Sequence, residues 1–193
     1  MKHKISFQGE AGANSHIACM EARPDYEPLP CRTFEDAFQA VEDGTAELAM
    51  IPTDNSVAGR VADIHHLLPH SSLSIVGEHF LPVHHQLLVV KGVKAAELKS
   101  VHSHVHALGQ CRKVIRDMGL DAVVAVDTAG AARELAEIKD RSRAAIATRL
   151  AGDIYGLEVL RADIEDESHN TTRFVVPGRS STATPDRARR AQS

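Results

Sequence analysis

Residues 77–90, GEHFLPVHHQLLVV, decide how this chain is divided. Pro82 interrupts any helix through the stretch and β-favouring residues flank it, so it reads as extended chain passing from one region into the next. Upstream, short apolar runs alternate with helical patterns. Residues 5–7 form a strand, a glycine turn leads to a helix over 15–20, and a second helix spans 33–41. That helix begins with Thr33 as N-cap and has Asp36 at its third position. A strand at 48–51, a helix at 61–68 and a strand at 73–79 complete a βαβ rhythm.

Downstream of the crossing, residues 86–90 form a strand and the rhythm repeats from Val101. A short strand is followed by a loop with Ser103 and His104, a helix over 107–118, a strand over 122–126, a helix over 128–137 and a strand over 144–147. A short helix at 149–155 ends near Gly156, 157–164 lead onward, and 173–176 form a last strand stopped by Pro177 and Gly178. The expected fold class is α/β with two lobes and mixed, largely parallel sheets joined by right-handed crossovers. If the last strand crosses back to the first lobe, lobe one covers about 1–80 plus 160–177 and lobe two about 81–159. Ligand then binds between them, at the carboxyl ends of the strands.

Composition bounds the function classes. The 193 residues are enough to bury about 70 % of the unfolded chain's surface. Lys and Arg number 22 against 26 Asp and Glu, a net charge of −4, which argues against general affinity for nucleic acid. No apolar run approaches the ~20 residues that span a bilayer, and the start MKHKISFQGE lacks a signal-peptide core. Cys19, Cys31 and Cys111 form no framework, so a reducing cytoplasm is the simplest home. Residues 178–193 hold four Arg and one Asp, +3 against −7 for residues 1–177, and read as a disordered basic tail.

Several polar clusters could carry chemistry. In Asn170-Thr171-Thr172-Arg173-Phe174, an Arg beside hydroxyl and amide groups at a strand start suits a planar carboxylate; the plain alternative is a polar turn with Arg173 in solvent. Thr53-Asp54-Asn55-Ser56 follows a strand, where ligand groups are presented, but any of its short polar side chains could be an N-cap or an Asx turn. Gly9 to Ser15 form a glycine turn opening a helix without dinucleotide or Walker spacing; its useful feature is free N–H groups near Ser15.

Twelve histidines invite a metal reading, yet His102, His104 and His106, with the pairs His65-His66 and His84-His85, match no zinc pattern. Cys111, among apolar residues at helical spacing, reads as a buried small hydrophobe rather than a nucleophile. The remaining inventory suits catalysis by positioning and hydrogen-bond donation.

With these residues in view, the chain resembles the catalytic region of prephenate dehydratases. The resemblance rests on GEAGANSHIA (9–18), IPTDNSVAGRVADIHHLL (51–68), GEHFLPVHHQL (77–87), VHSHVHALGQCR (101–112), TAGAAR (128–133), AAIATRLAGDIYGLEVL (144–160) and IEDESHNTTRF (164–174), in the family's order. It implies conversion of prephenate to phenylpyruvate, two lobes like a type II periplasmic binding protein, a homodimer or larger assembly, and no cofactor, metal, nucleic acid or membrane partner. Arogenate as substrate, or binding of a small carboxylate without catalysis, are the alternatives.

Carried over residue by residue, the resemblance implies that Thr172 hydrogen-bonds the leaving hydroxyl, Arg173 anchors a substrate carboxylate and Asn55 orients substrate. Ser15, with Ala13 and Asn14, would cap a carboxylate; Ser56, Ser103 and Gln110 would contact substrate; and Phe174 would pack the strand and cleft wall. The chain departs from the family's pattern at Asp54, where Glu is commoner, at Thr53, where an apolar residue is usual, and at Val105-His106, where Pro-Gln is commoner. The chain stops soon after Val176, so an attached phenylalanine-binding regulatory domain is not expected.

Overall fold

A computed structural model describes residues 3–180. The first sheet contains β1 (Lys4–Gln8), β2 (Glu27–Cys31), β3 (Leu48–Asn55), β4 (Gly59–Arg60), β5 (Ser74–Pro82) and β11 (Thr171–Gly178). The second contains β6 (Gln86–Val89), β7 (Ser100–Ser103), β8 (Asp121–Val124), β9 (Arg143–Ala147) and β10 (Glu158–Arg161). Helices α1 (Asn14–Ala22), α2 (Phe34–Glu42) and α3 (Ala62–Leu67) pack on the first sheet. Helices α4 (Val105–Gln110), α5 (Arg112–Asp117), α6 (Thr128–Ile138) and α7 (Arg149–Tyr155) belong to the second.

The strand orders are β2-β1-β3-β11-β5, with β4 on β3, and β8-β7-β9-β6-β10. They are the same order twice. Along each path a single strand runs against its neighbours, β11 between β3 and β5 and β6 between β9 and β10. Both are the strands that follow a crossing between sheets. The result is the expected two-lobed α/β architecture with largely parallel strands.

Strand alternation builds two cores per lobe. Phe174 and Val176 join Ile5, Phe7 and Met50 beneath α1, while Val175 joins Ala49, Ile51, Ala37 and Ile64 on the opposite face. In the second lobe Leu87, Val101 and Ile146 pack with α4 and α5, and Leu88 and Ala145 pack with α6 and α7. The capping box Thr33/Asp36 forms as the sequence predicts, and Gly156 closes α7 in the left-handed conformation at φ 69°.

Three boundaries differ from the sequence reading. The helix expected over 107–118 is two helices broken at Cys111, because the Asp166 carboxylate accepts from the Arg112 and Lys113 N–H groups at 2.9 and 3.2 Å and starts α5 afresh. β5 pairs in the first sheet as far as Pro82 and β10 in the second as far as Arg161, so the crossings are residues 83–85 and 162–170. The basic tail expected from 178 is paired at its start: Gly178 pairs with Leu48 and Ser74 and the Arg179 guanidinium donates to the Val41 carbonyl at 3.2 Å. Residues 181–193, the rest of that stretch, lie outside the described residues. Among the described residues no helix is long and apolar enough to cross a membrane.

Candidate active site

Because β11 runs against β3, its first residues meet the last residues of β3: Thr172 pairs with Asn55 and Arg173 with Asp54. The register then skips Thr53, which forms a bulge and donates its hydroxyl proton to the Arg173 carbonyl at 3.2 Å. This places Thr172 and Asn55 at the edge where α1 begins, one strand away from the end of β1.

Asn55 makes two kinds of contact. Its Oδ1 accepts from the Val57 and Ala58 N–H groups at 2.9 and 2.8 Å, which is the Asx turn. Its Nδ2 donates to Asn170 Oδ1 at 2.7 Å and to Thr172 Oγ1 at 2.8 Å. Backbone N–H groups can only donate, so they fix which end of the amide faces the site. Thr172 Oγ1 is therefore an acceptor toward Asn55, and its own proton has no acceptor among the described residues.

The chain of bonds continues across the lobes. Asn170 Nδ2 donates to Gln110 Oε1 at 2.9 Å, and His85 Nε2 lies 2.7 Å from that same oxygen. Burial pushes the His85 imidazole below its ordinary value, against the Gln110 hydrogen bond and the nearby Glu165 charge, which leaves the ring neutral at pH 7. Asn170 and His85 are buried, whereas Thr172 and Gln110 are half-buried. In the sequence Asn170 stands in a polar cluster without an assigned task and His85 in a histidine pair. Their contacts reach across 60 and 25 residues, which no local spacing encodes.

The other expected residues are distributed unevenly. Ala13 is the N-cap of α1, without a side-chain cap, and Asn14 and Ser15 follow it in the first turn with Ser15 buried. Beside them Gly12 donates its N–H to His16 Nδ1 at 3.0 Å, a ring stacked on Phe7 and held below its ordinary pKa by burial. The α1 start touches the second lobe through Thr148, whose hydroxyl donates to the Gly12 carbonyl, and through Tyr155, whose hydroxyl donates to the Ala11 carbonyl at 2.8 Å.

Four more of the expected residues are engaged within the protein. Ser103 is fully buried and donates to the Ile146 carbonyl at 2.6 Å, which ties β7 to β9. Ser56 donates to the His169 carbonyl and accepts from the Thr171 N–H, so it clips the ends of β3 and β11 together. Phe174, 1 % exposed, packs on the strand within the core beneath α1. Arg173 lies on the strand face opposite Phe174 and Thr172. Its Nε donates to Glu78 Oε2 at 3.1 Å, and its Nη2 lies 3.0 Å from the same oxygen, with Asp54 3.9 Å away, so the guanidinium is paired with protein carboxylates.

Burial pushes the Cys19 thiol up to about 12 and raises that of Cys111 further, with Asp166 and Glu165 adding to the effect, so both stay protonated at neutral pH. Arg143 Nε donates to His102 Nε2 at 2.9 Å and His104 stacks on His106, and the three histidines do not gather. Among the described residues, the His84, Asp163 and Glu165 ligand atoms come within 4.8 Å of one another. There His84 Nδ1 pairs with Glu165 Oε1 at 2.7 Å and Gln86 Nε2 donates to Asp163 Oδ1 at 3.0 Å. A separate open cleft of about 870 Å³ lies between the β1 and β2 ends and the β8 edge. Glu10, Arg133, Val124 and Asp127 line it; Thr172, Asn55 and Gln110 do not.

A site of neutral amides and one hydroxyl with an uncommitted proton can orient a substrate and hydrogen-bond a leaving oxygen. A sequence profile described as prephenate dehydratase matches residues 5–182. The chain belongs to the prephenate dehydratase family. Among prephenate dehydratase relatives, a bifunctional N-acyl-homoserine lactone acylase/prephenate dehydratase of Komagataeibacter europaeus is 50 % identical over 175 residues, covering 91 % of this chain and 62 % of the relative. Arogenate dehydratase 1 of Petunia hybrida is 43 % identical over 178 residues, covering 91 % and 42 %. The chain thus spans less than two thirds of the length of these relatives.

Solved structures agree on the fold. GqqA, described as a novel type of quorum quenching acylase, superposes with a TM-score of 0.86 at 48 % identity, covering 92 % of this chain and 64 % of that one. The prephenate dehydratase of Arthrobacter aurescens, solved with L-Phe, gives a TM-score of 0.84 at 31 % identity, covering 91 % and 60 %.

Proposed function

We propose that the chain is a cofactor-free prephenate dehydratase, converting prephenate to phenylpyruvate, carbon dioxide and water. The observation that carries the reading is the Thr172 hydroxyl, which accepts from Asn55 at 2.8 Å and so keeps its proton for another acceptor. The ring carboxylate departs as carbon dioxide, and its bonding electron pair moves through the diene and expels the C4 hydroxyl as the ring becomes aromatic. The expelled oxygen gains negative charge in the transition state and takes up a proton to leave as water. Thr172 donates a hydrogen bond to that oxygen, an interaction that strengthens as the charge develops. A threonine hydroxyl is too weak an acid to protonate it outright, so the proton comes from solvent.

Asn55 holds Thr172 in the donating orientation. Gln110 has both amide protons uncommitted among the described residues, and serves as a donor to substrate. The start of α1, with Asn14 and Ser15, receives a carboxylate at its N–H groups. Arg173 acts at one remove, clamping β5 and β3 to β11 through Glu78 and Asp54.

A cytoplasmic location and a homodimer or larger assembly belong to the same proposal. Three free cysteines suit a reducing compartment, and the β8 edge strand with Val124, and Val126 just beyond it, exposed at 65 % and 93 % suits burial by a second copy. The test is turnover of freshly prepared prephenate at neutral pH, followed as phenylpyruvate against a no-enzyme control, with arogenate in a parallel arm. Turnover of prephenate well above that of arogenate is expected. No turnover of either would leave a binding protein, and preference for arogenate would reassign the substrate.

A further inference from the structure

His84 and His85 are neighbours in sequence with separate tasks. His84 pairs with Glu165 and so links the two crossings, while His85 faces Gln110 and has no task in the proposed chemistry. The direction of every bond from Asn55 to His85 follows from one end. The Val57 and Ala58 N–H groups fix Asn55 Oδ1 as acceptor, so Asn55 Nδ2 donates and Asn170 Oδ1 accepts. Asn170 must then offer its NH2 to Gln110, whose Oε1 accepts. That oxygen also lies 2.7 Å from His85 Nε2, so the ring nitrogen must carry a proton.

We infer that His85 is a positioning residue: as the Nε2–H tautomer it pins Gln110 Oε1 against Asn170 and thereby holds the Gln110 amide protons and the Thr172 proton outward for substrate. The opposite tautomer would present a lone pair to Gln110, turn its amide round and set NH2 against the Asn170 NH2. Both crossings and both lobes contribute to this relay: His85 from the first, Asn170 from the second, Gln110 from α4 and Asn55 from β3. The inference rests on the dehydratase reading for its catalytic consequence, but not for the state of the ring.

The state of the ring is read by long-range ¹H–¹⁵N NMR of the wild-type protein at pH 7.5, where a neutral Nε2–H ring at His85 is expected. A neutral Nδ1–H ring or an imidazolium there would overturn the inference whether or not the protein turns over prephenate. Steady-state kinetics provide the second arm. His85→Phe is expected to lower kcat/KM by about 10-fold or more, and His85→Gln, whose amide can donate from the same position, is expected to recover most of it. Full activity of His85→Phe, or a His85→Gln variant as impaired as His85→Phe, would reduce His85 to a packing residue and contradict the assignment. Absence of wild-type turnover would sink the dehydratase reading alone.

Discussion

Asn55 Nδ2 donates to Thr172 Oγ1 at 2.8 Å across the β3–β11 pair, and the backbone N–H groups of Val57 and Ala58 hold Asn55 in the orientation that makes it the donor. A hydroxyl that accepts from one side has its proton free for the other. The catalytic proposal follows from that polarity more than from proximity.

Asn55→Asp separates polarity from shape. The introduced carboxylate can still accept from Val57 and Ala58, so the turn survives, but it offers no proton to Thr172 or Asn170. Thr172 then donates inward to that carboxylate. A fall in kcat of about 100-fold with a melting temperature within a few degrees of wild type is expected. Undiminished kcat would show that the orientation of Thr172 is immaterial.

For Arg173, whose fork is held by Glu78 and approached by Asp54, the account predicts a positioning effect. Arg173→Gln should lower kcat by about 10-fold and leave KM within about threefold, since no bond to substrate is lost. A rise in KM of about 100-fold, measured on prephenate, would restore Arg173 as the carboxylate anchor.

The lobes meet closely at Gly12, whose φ is +94° and where an added Cβ would stand 2.7 Å from the Ala151 Cα. Gly12→Ala combines a disfavoured conformation with a clash against backbone, and a loss of about 2 kcal/mol or more is expected in chemical denaturation. Wild-type stability would mean that the lobes separate there without cost.

Acid should destabilise the protein in two stages. Burial holds His16 and His85 below their ordinary 6.5, so the unfolded chain binds more protons and stability falls as pH drops below about 6.5. For Glu165, burial raises its pKa, but bonds from the His85 N–H and from His84 outweigh it and hold the carboxyl below its ordinary 4.5; its contribution is lost as pH falls through that lowered value. Melting temperature measured from pH 8 to 4 should therefore decline toward acid, and His85→Gln should flatten the first stage. A flat profile between pH 7 and 5 would contradict the burial of both rings in the neutral state.

The alternation of apolar strands and helical stretches made the two lobes legible in the sequence, and Pro82 in GEHFLPVHHQLLVV marked the first crossing. The capping box at Thr33 and the stop at Gly156 were legible because each is a local interaction. Asp166 starting α5 from 54 residues away was not, nor was Asn170 bridging Asn55 to Gln110. The Arg173–Glu78 pair is not legible for a related reason: the motif gives the chemistry of Arg173, but its strand face and the Glu78 carboxylate on β5 are set by pairing.

The most direct test of the account is kcat on prephenate for Thr172→Ala beside Thr172→Ser and wild type. Loss of one preorganised donor should cost the alanine variant about 100- to 1,000-fold, while the serine variant, which keeps the hydroxyl, should stay within about 10-fold of wild type. An alanine variant with wild-type kcat would contradict the claim that the Thr172 hydroxyl stabilises the departing oxygen.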